Sequence, residues 1–387
     1  MQKFNFLFLW VLLFFSVFSF SQTLTISNSG ETGTSGSNWT VSGTNPVTIT
    51  ATSTADVNTS VIEGYLNDGR SVRLEGSLIN VASTISKTAG GDATLTLRAG
   101  GTDTEGYGRA QINANIESTS GALNIVLWSD YNNHNRAGAT AGTASTITTN
   151  GGHFWMGGSA TDQGSTTWNG LTVGDGPSVN DNGSTNQNAI DFDGVTLSTS
   201  GGDVLMWAAP GDGSGTQGIN FHTSSSVNTG TGDIILAADV LAGASTLTST
   251  GHLYLVPDGD SYGGAVTWSH DEGSPNINVS GTFDALNINA YNNLGGFSIG
   301  GYNGMTSGGV PVLQENNSNV TISQNISING PIAIYGGIVQ LDANIISSTA
   351  SDIILKADRI VHKSGVTVQT EGGDISYEAD GPFASAG

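Results

Sequence analysis

The chain has 387 residues, with 10 Lys and Arg against 32 Asp and Glu, a formal charge of −22 and no cysteine. So large an acidic excess repels nucleic acid and anionic lipid, which excludes both as expected partners. The lack of thiols excludes a small disulfide-stapled fold, so stability has to come from a long, regular hydrogen-bonded core. With 56 glycines the composition leans toward disorder, yet Val, Ile and Leu recur in alternation, which a disordered chain has no reason to keep.

Residues 1–21 read as a signal peptide. Lys3 supplies the positive start, Phe6 to Phe15 is unbroken apolar sequence, and Ser19 and Ser21 are the small residues read before a cut at Gln22. The apolar run is short for a membrane span, which takes roughly 20 residues. No membrane span is therefore expected after processing, and the expected location is extracellular or on the outer cell surface.

Residues 22–81 read as an N-terminal cap with early, irregular coils. Thr23-Leu24-Thr25-Ile26-Ser27 and Val47-Thr48-Ile49-Thr50-Ala51 alternate as strands do. A stack of repeats needs an atypical end because its first coil has an open edge. No segment of the chain reads as an amphipathic helix.

From residue 82 to 387 one phrase dominates: a glycine turn, an Asp, a short alternating strand, then Ala and a second turn. Its clearest copy is Gly201-Gly202-Asp203-Val204-Leu205-Met206-Trp207-Ala208-Ala209. Others begin at Gly90, Gly232, Asp352 and Gly372, and weaker ones at Gly121, Gly152, Gly251 and Gly330. Strands of the form Ile-x-Ala-x-Ile, such as Ile112 to Ile116, lie between copies. A period of roughly 20 residues with tolerated insertions is the mark of a β-solenoid. In Asp352 to Ala357 the expected inward set is Ile353, Leu355 and Ala357, with Ile354 and Lys356 outward. Glycine gives the corner its backbone freedom, and Asp or Asn there can bond neighbouring backbone. Two polar excursions, Asp130 through Asn150 and Asp162 through Asn188, read as loops inserted on one face. Gly387 falls a few residues into a fresh copy, so the expectation is the N-terminal part of a longer product or a truncated gene, with a missing C-terminal region or a secretion partner.

This Gly-Gly-Asp-Ile-x-Leu-x-Ala pattern, with its intervening Ile-x-Ala-x-Ile strands, resembles the filamentous haemagglutinin-like surface proteins. It is most similar to the large glycine-rich β-strand-repeat proteins of Bacteroidetes-type bacteria. The likeness covers roughly Val72 to Asp380. It implies an all-β, right-handed parallel β-helix (a solenoid) with inserted loops, exported and used in adhesion or as matrix, and it implies no catalytic residues.

Candidate chemistry is sparse. Asp191-Phe192-Asp193 puts two carboxylates on one strand face, and Asp258-Gly259-Asp260 and Asp271-Glu272 gather acids at turns. Such pairs act as acid and base or hold Ca²⁺, but cations are few and only Arg136 lies in a long polar loop. No calcium nonapeptide or EF-hand loop occurs, so no cofactor is expected beyond weak surface Ca²⁺. His153 and His252 replace Asp at the corner, several coils apart. The best binding signal is aromatic: Trp128, Trp155, Trp207 and Tyr254 fall in outward columns, as candidate platforms for carbohydrate. Trp155 and Tyr254 are expected in the column of Thr94, Trp207 in the next, and Trp128 one place further. Three functions follow: an adhesin-like scaffold binding a glycan or cell-surface ligand without catalysis; a polysaccharide-acting β-helix lyase or hydrolase; or a purely structural or ice-binding solenoid, for which Thr94 and Thr96 find no echo in later coils.

Overall fold

The computed structural model describes residues 22–100, 108–133, 136–142, 145–180, 188–209, 218–262, 264–271, 274–279, 287–288 and 293–379. The signal-peptide expectation, Glu272 and Tyr291 lie outside them. No described helix is long and apolar enough to cross a membrane.

The protein is a parallel β-helix. Each coil contributes one strand to a broad sheet and two shorter strands to flanking faces. The broad sheet is an open ladder. From Val47–Ala51 it runs through Val72–Gly76, Ala93–Ala99, Leu123–Trp128 and Phe154–Gly157. It continues through Val204–Ala209, Ile234–Ala238, His252–Val256 and Gly296–Ile299. Ile332–Leu341, Ile353–His362 and Ile375–Ala379 complete it, all pairings being parallel.

Register explains the core. Leu95, Ile125, Phe154, Val204, Ile234, Leu253, Phe297, Ile332 and Ile353 face inward from successive rungs, all at 0 or 1% exposure. Each apolar side chain therefore rests on an apolar side chain from the neighbouring coils. Burying one such residue contributes roughly 1.5–3 kcal/mol before entropy is counted. Ile353, Leu355 and Ala357 point inward while Ile354 and Lys356 are half-exposed, the alternation the sequence predicts.

Each position of the Gly-Gly-Asp phrase has its own task. Gly201 turns the corner at φ +118°. Gly202 lies so close to the coil beneath that a Cβ would sit 2.0 Å from the Gly152 carbonyl oxygen. Asp203 joins coils: its carboxylate accepts the backbone N–H of Asp233 (2.8 Å), and Asp233 in turn accepts that of His252 (2.7 Å). Asn124 accepts from His153 N–H (2.8 Å), and His153 Nδ1 accepts from Asp203 N–H (2.9 Å). His153 thus substitutes for Asp as an acceptor, with its ring proton on Nε2. At the opposite end of the corner, Ser118, Thr149 and Thr229 hydroxyls donate to the carbonyls of Gly121, Gly152 and Gly232. Lys87, fully buried, opens this column and donates to the carbonyls of Ala89 and Ser120.

The two ends differ. At the N-terminal end Trp39–Ser42 pairs antiparallel with Val47–Ala51, and fully buried Trp39 donates to Glu31. A helix, Thr59–Asn67, follows, and it corrects the expectation of a helix-free chain. Asn58 caps it by accepting from Ser60 N–H, and Ile62 and Leu66 are buried one turn apart. Its Val, Ile and Thr content and Gly64 hide it from propensity. At the other end Ile375 and Tyr377 occupy inward positions but are 39% and 49% exposed.

Candidate functional site

The four aromatics predicted from sequence are not an open platform. Trp128, Trp155 and Trp207 are 1%, 1% and 3% exposed, and Tyr254 is half-buried. They do face outward, but into a second apolar cluster with Val126, Leu205, Ile235 and Val256. Two antiparallel hairpins roof it. Ser165–Trp168 with Leu171–Gly174 is one, and Tyr302–Ser307 with Val310–Gln314 is the other. Trp168 and Met305 reach down from them into the cluster. The Trp168 indole N–H donates to the Tyr302 hydroxyl (3.1 Å), tying the roofs together across 134 residues of sequence. Trp128 donates to Ser159 (2.8 Å) and Trp207 to Asp258 (2.6 Å). The excursion from Asp162 is therefore largely this hairpin. The one from Asp130 is largely ordinary coil, with strands Ala139–Ala141 and Thr146–Thr148.

The columns also shift. Trp155 and Tyr254 share a column with Thr96, not Thr94. Trp128 lies opposite Gly157, which places it in the column of Trp207 rather than beyond it. The physical reason is that Asn124, not Ala122, fills the corner slot beneath His153.

Beside Trp207 lies a carboxylate pair. Asp239 accepts the backbone N–H of Asp258 (2.9 Å). Burial, then the neighbouring Asp239 charge, push the Asp258 carboxyl up to about 7, against the lowering effect of the Trp207 N–H. Burial raises Asp239 as well. His252, stacked on Tyr254 with ring centroids 3.9 Å apart, is pushed down to about 4 by burial.

The open polar site is on the flanking face. There Arg109–Ile112, Ala139–Ala141, Ile190–Phe192 and Ile219–Gly230 are successive parallel rungs, aligning Gln111, Thr140, Asp191 and Asn220. The outward side chains of Gln111, Thr140 and Asp191 line a groove of about 380 Å³ with Arg109, Asn113, Asn180, Asn188 and Asp193. Asp191 Oδ1 accepts from the Asn188 amide (3.2 Å) and lies 2.8 Å from His222 Nε2. Asp191 and Asp193 share the strand face, as their spacing predicts, because Phe192 between them points into the core. Arg109 comes from two coils earlier and could be placed only by register. Its Nε is buried with no hydrogen-bond partner among the described residues. Arg136 belongs to a two-residue strand paired antiparallel with Ser178–Asn180.

Such a lining of amides, carboxylates and one guanidinium offers alternating donors and acceptors, suited to hydroxyl-rich ligands. Among the described residues, no three His, Asp or Glu side chains gather as metal ligands. In comparisons with protein-family models, curated proteins and solved structures, nothing matches this chain.

Proposed function

We propose that the protein is an exported, adhesin-like β-helix that holds a carbohydrate of a cell or matrix surface in the Gln111–Asp191 groove, without catalysing a reaction. The observation that carries this reading is the groove itself: a polar, aromatic-free strip crossing consecutive rungs of a rigid ladder. The solenoid supplies stiffness and reach, and the corner ladders hold the lining side chains at rung spacing, about 4.8 Å. The test is a glycan array with residues 22–387, read beside a Gln111→Ala/Asn113→Ala variant. Glycan binding that falls at least tenfold in the variant supports the reading; no binding by the parent, or equal binding by both, overturns it.

A catalytic reading is favoured by one observation, the meeting of Asp191, Asp193 and Arg109 in that groove. Two carboxylates two positions apart on a strand stand roughly 7 Å apart at their Cα atoms, within the span of glycosidase acid pairs. Release of reducing ends or unsaturated sugars from a polysaccharide bound on the array, abolished by Asp193→Asn, would replace the scaffold reading with this one.

A further inference from the structure

A second pocket, of about 250 Å³, lies at the N-terminal end of the broad sheet. Its floor is the outward side of Val72–Gly76 and Ala93–Ala99, where Arg73 pairs in register with Thr48 on one side and Thr96 on the other. Asn45 and Pro46 wall one side and the tip of the first roofing hairpin, Gly170 to Thr172, walls another. In a protein of charge −22 this lining is exceptional. It carries one cation and no carboxylate.

Glu75, two positions along the strand, is the acid whose charge acts on Arg73, and it stands outside the lining. The Arg73 Nε is buried without a hydrogen-bond partner, and no ion pair to Arg73 occurs among the described residues. The nearest acid along the strand, Glu75, is engaged by Arg98 and by the Thr50 hydroxyl (3.1 Å). Arg98 in turn lies over the Tyr131 ring, 4.0 Å from its centroid. Burial, then the Arg98 charge, lower the Arg73 pKa against the raising effect of Glu75. A half-buried guanidinium with a donor left open is stabilised by an anion that accepts from it.

The polar groups around it have donors to spare. Ser71 Oγ accepts the Thr94 N–H (3.0 Å), leaving its own O–H to donate. Thr94 Oγ1 accepts from Asn124 (3.3 Å), with the same consequence. Asn45 Oδ1 accepts the Ser71 N–H (2.9 Å), which leaves the amide N–H₂ of Asn45 available. Thr96 and Thr172 add hydroxyls. A guanidinium fork ringed by hydroxyl and amide donors, with no carboxylate in the lining, is the chemistry that recognises an oxyanion.

We propose that this pocket binds a sulfate group, either as the free ion or as the ester of a saccharide, with Arg73 as its charged partner and the hydroxyls of Ser71, Thr94 and Thr96 completing the shell. The site is separate from the Gln111–Asp191 groove, and its occupancy does not depend on what that groove holds.

The experiment follows the arginine Nε–Hε resonances of ¹⁵N-arginine-labelled residues 22–387 while sodium sulfate is titrated at constant ionic strength against sodium chloride. The expected result is a saturable shift of the Arg73 resonance with none at Arg109, whose groove holds Asp191 and Asp193. Sulfate affinity measured by isothermal titration calorimetry is expected to fall at least tenfold in Arg73→Lys, which keeps the charge but loses the fork, and about threefold in Thr96→Val, with the remaining arginine resonances unmoved to show an intact fold. No saturable shift at Arg73, or a parallel drift of Arg73 and Arg109, overturns the proposal. Glucose 6-sulfate binding more tightly than free sulfate assigns the site to a saccharide ester, and equal affinity assigns it to the free ion. Glucuronate saturating Arg73 more tightly than either overturns the choice of sulfate.

Discussion

Two outward faces of the same solenoid have opposite fates. On the broad sheet the outward columns through Trp155 and Trp207 are rich in aromatic and aliphatic side chains, and two hairpins seal them from water. On the flank the outward column through Gln111, Thr140, Asp191 and Asn220 is polar and open. The inward sides of both are equally dry. The lesson is that the coil fixes where side chains stand, while the insertions decide which of them a ligand can reach. The large aromatics of the roofed columns serve packing, and the polar side chains of the flank stand free of the two hairpins.

That contrast is open to attack in order of expected effect. The largest is Trp155→Ala, which empties the roofed cluster and is expected to cost about 3–5 kcal/mol, measured by urea unfolding of residues 22–387. A loss below about 1 kcal/mol would mean that the hairpins cover the cluster without packing on it.

Next come two groups beside the roofed aromatics that respond to pH in opposite senses. Asp258 has a folded pKa of about 7, above the unfolded carboxyl value of roughly 3.9. Its contribution is therefore complete below about pH 4 and lost as pH rises toward 7. Asp258→Asn keeps an acceptor for the Trp207 indole, so the variant is expected to exceed the parent in stability above pH 7, by about 2–4 kcal/mol. Equal urea midpoints for the two proteins at pH 8 would contradict the burial of a charged Asp258. His252 has a folded pKa of about 4, below its unfolded value of roughly 6.5. Its contribution is complete above pH 6.5 and lost as pH falls toward 4, by about 3 kcal/mol. His252→Gln should lessen that acid-side loss in a series of urea midpoints between pH 7 and pH 4.

On the open face the pattern should invert. Gln111→Ala and Asp193→Asn are expected to change stability by no more than about 0.5 kcal/mol while glycan binding falls. If instead they unfold the protein and leave binding intact, the two faces have been assigned the wrong way round. A comparably small change is expected at Lys87. Lys87→Thr matches the Ser and Thr of its column and is expected to stay within about 1 kcal/mol of the parent in thermal unfolding.

Period-two alternation and the glycine corner made the solenoid legible, because both are local. Ile353, Leu355 and Ala357 turn inward because alternate residues of a strand share one side. The pairing of Asp191 with Asp193 was visible for the same reason. What sequence could not show is non-local. Trp155 looks like a platform until a hairpin beginning at Tyr302 is laid over its neighbours, and nothing near Trp155 announces that. Arg109 enters the groove because rungs stack in register, and coil length varies too much for that register to be counted from sequence. The helix at Thr59–Asn67 was missed because tertiary packing of Ile62 and Leu66 outweighs poor propensity.

The corner ladder has a consequence for how this protein can change. Corresponding corner residues are 19 positions apart between Asp233 and His252 and 50 apart between His153 and Asp203, yet the same bond closes both steps. At these two steps the bond requires only that an acceptor returns to the corner, whatever the route taken, and the stack continues through Gly296 and Pro331, which offer no side-chain acceptor. Segments between corners are thus exchangeable cassettes: one can be lengthened, shortened or grafted from another solenoid without renegotiating the stack. New surfaces can be installed on this rod one coil at a time.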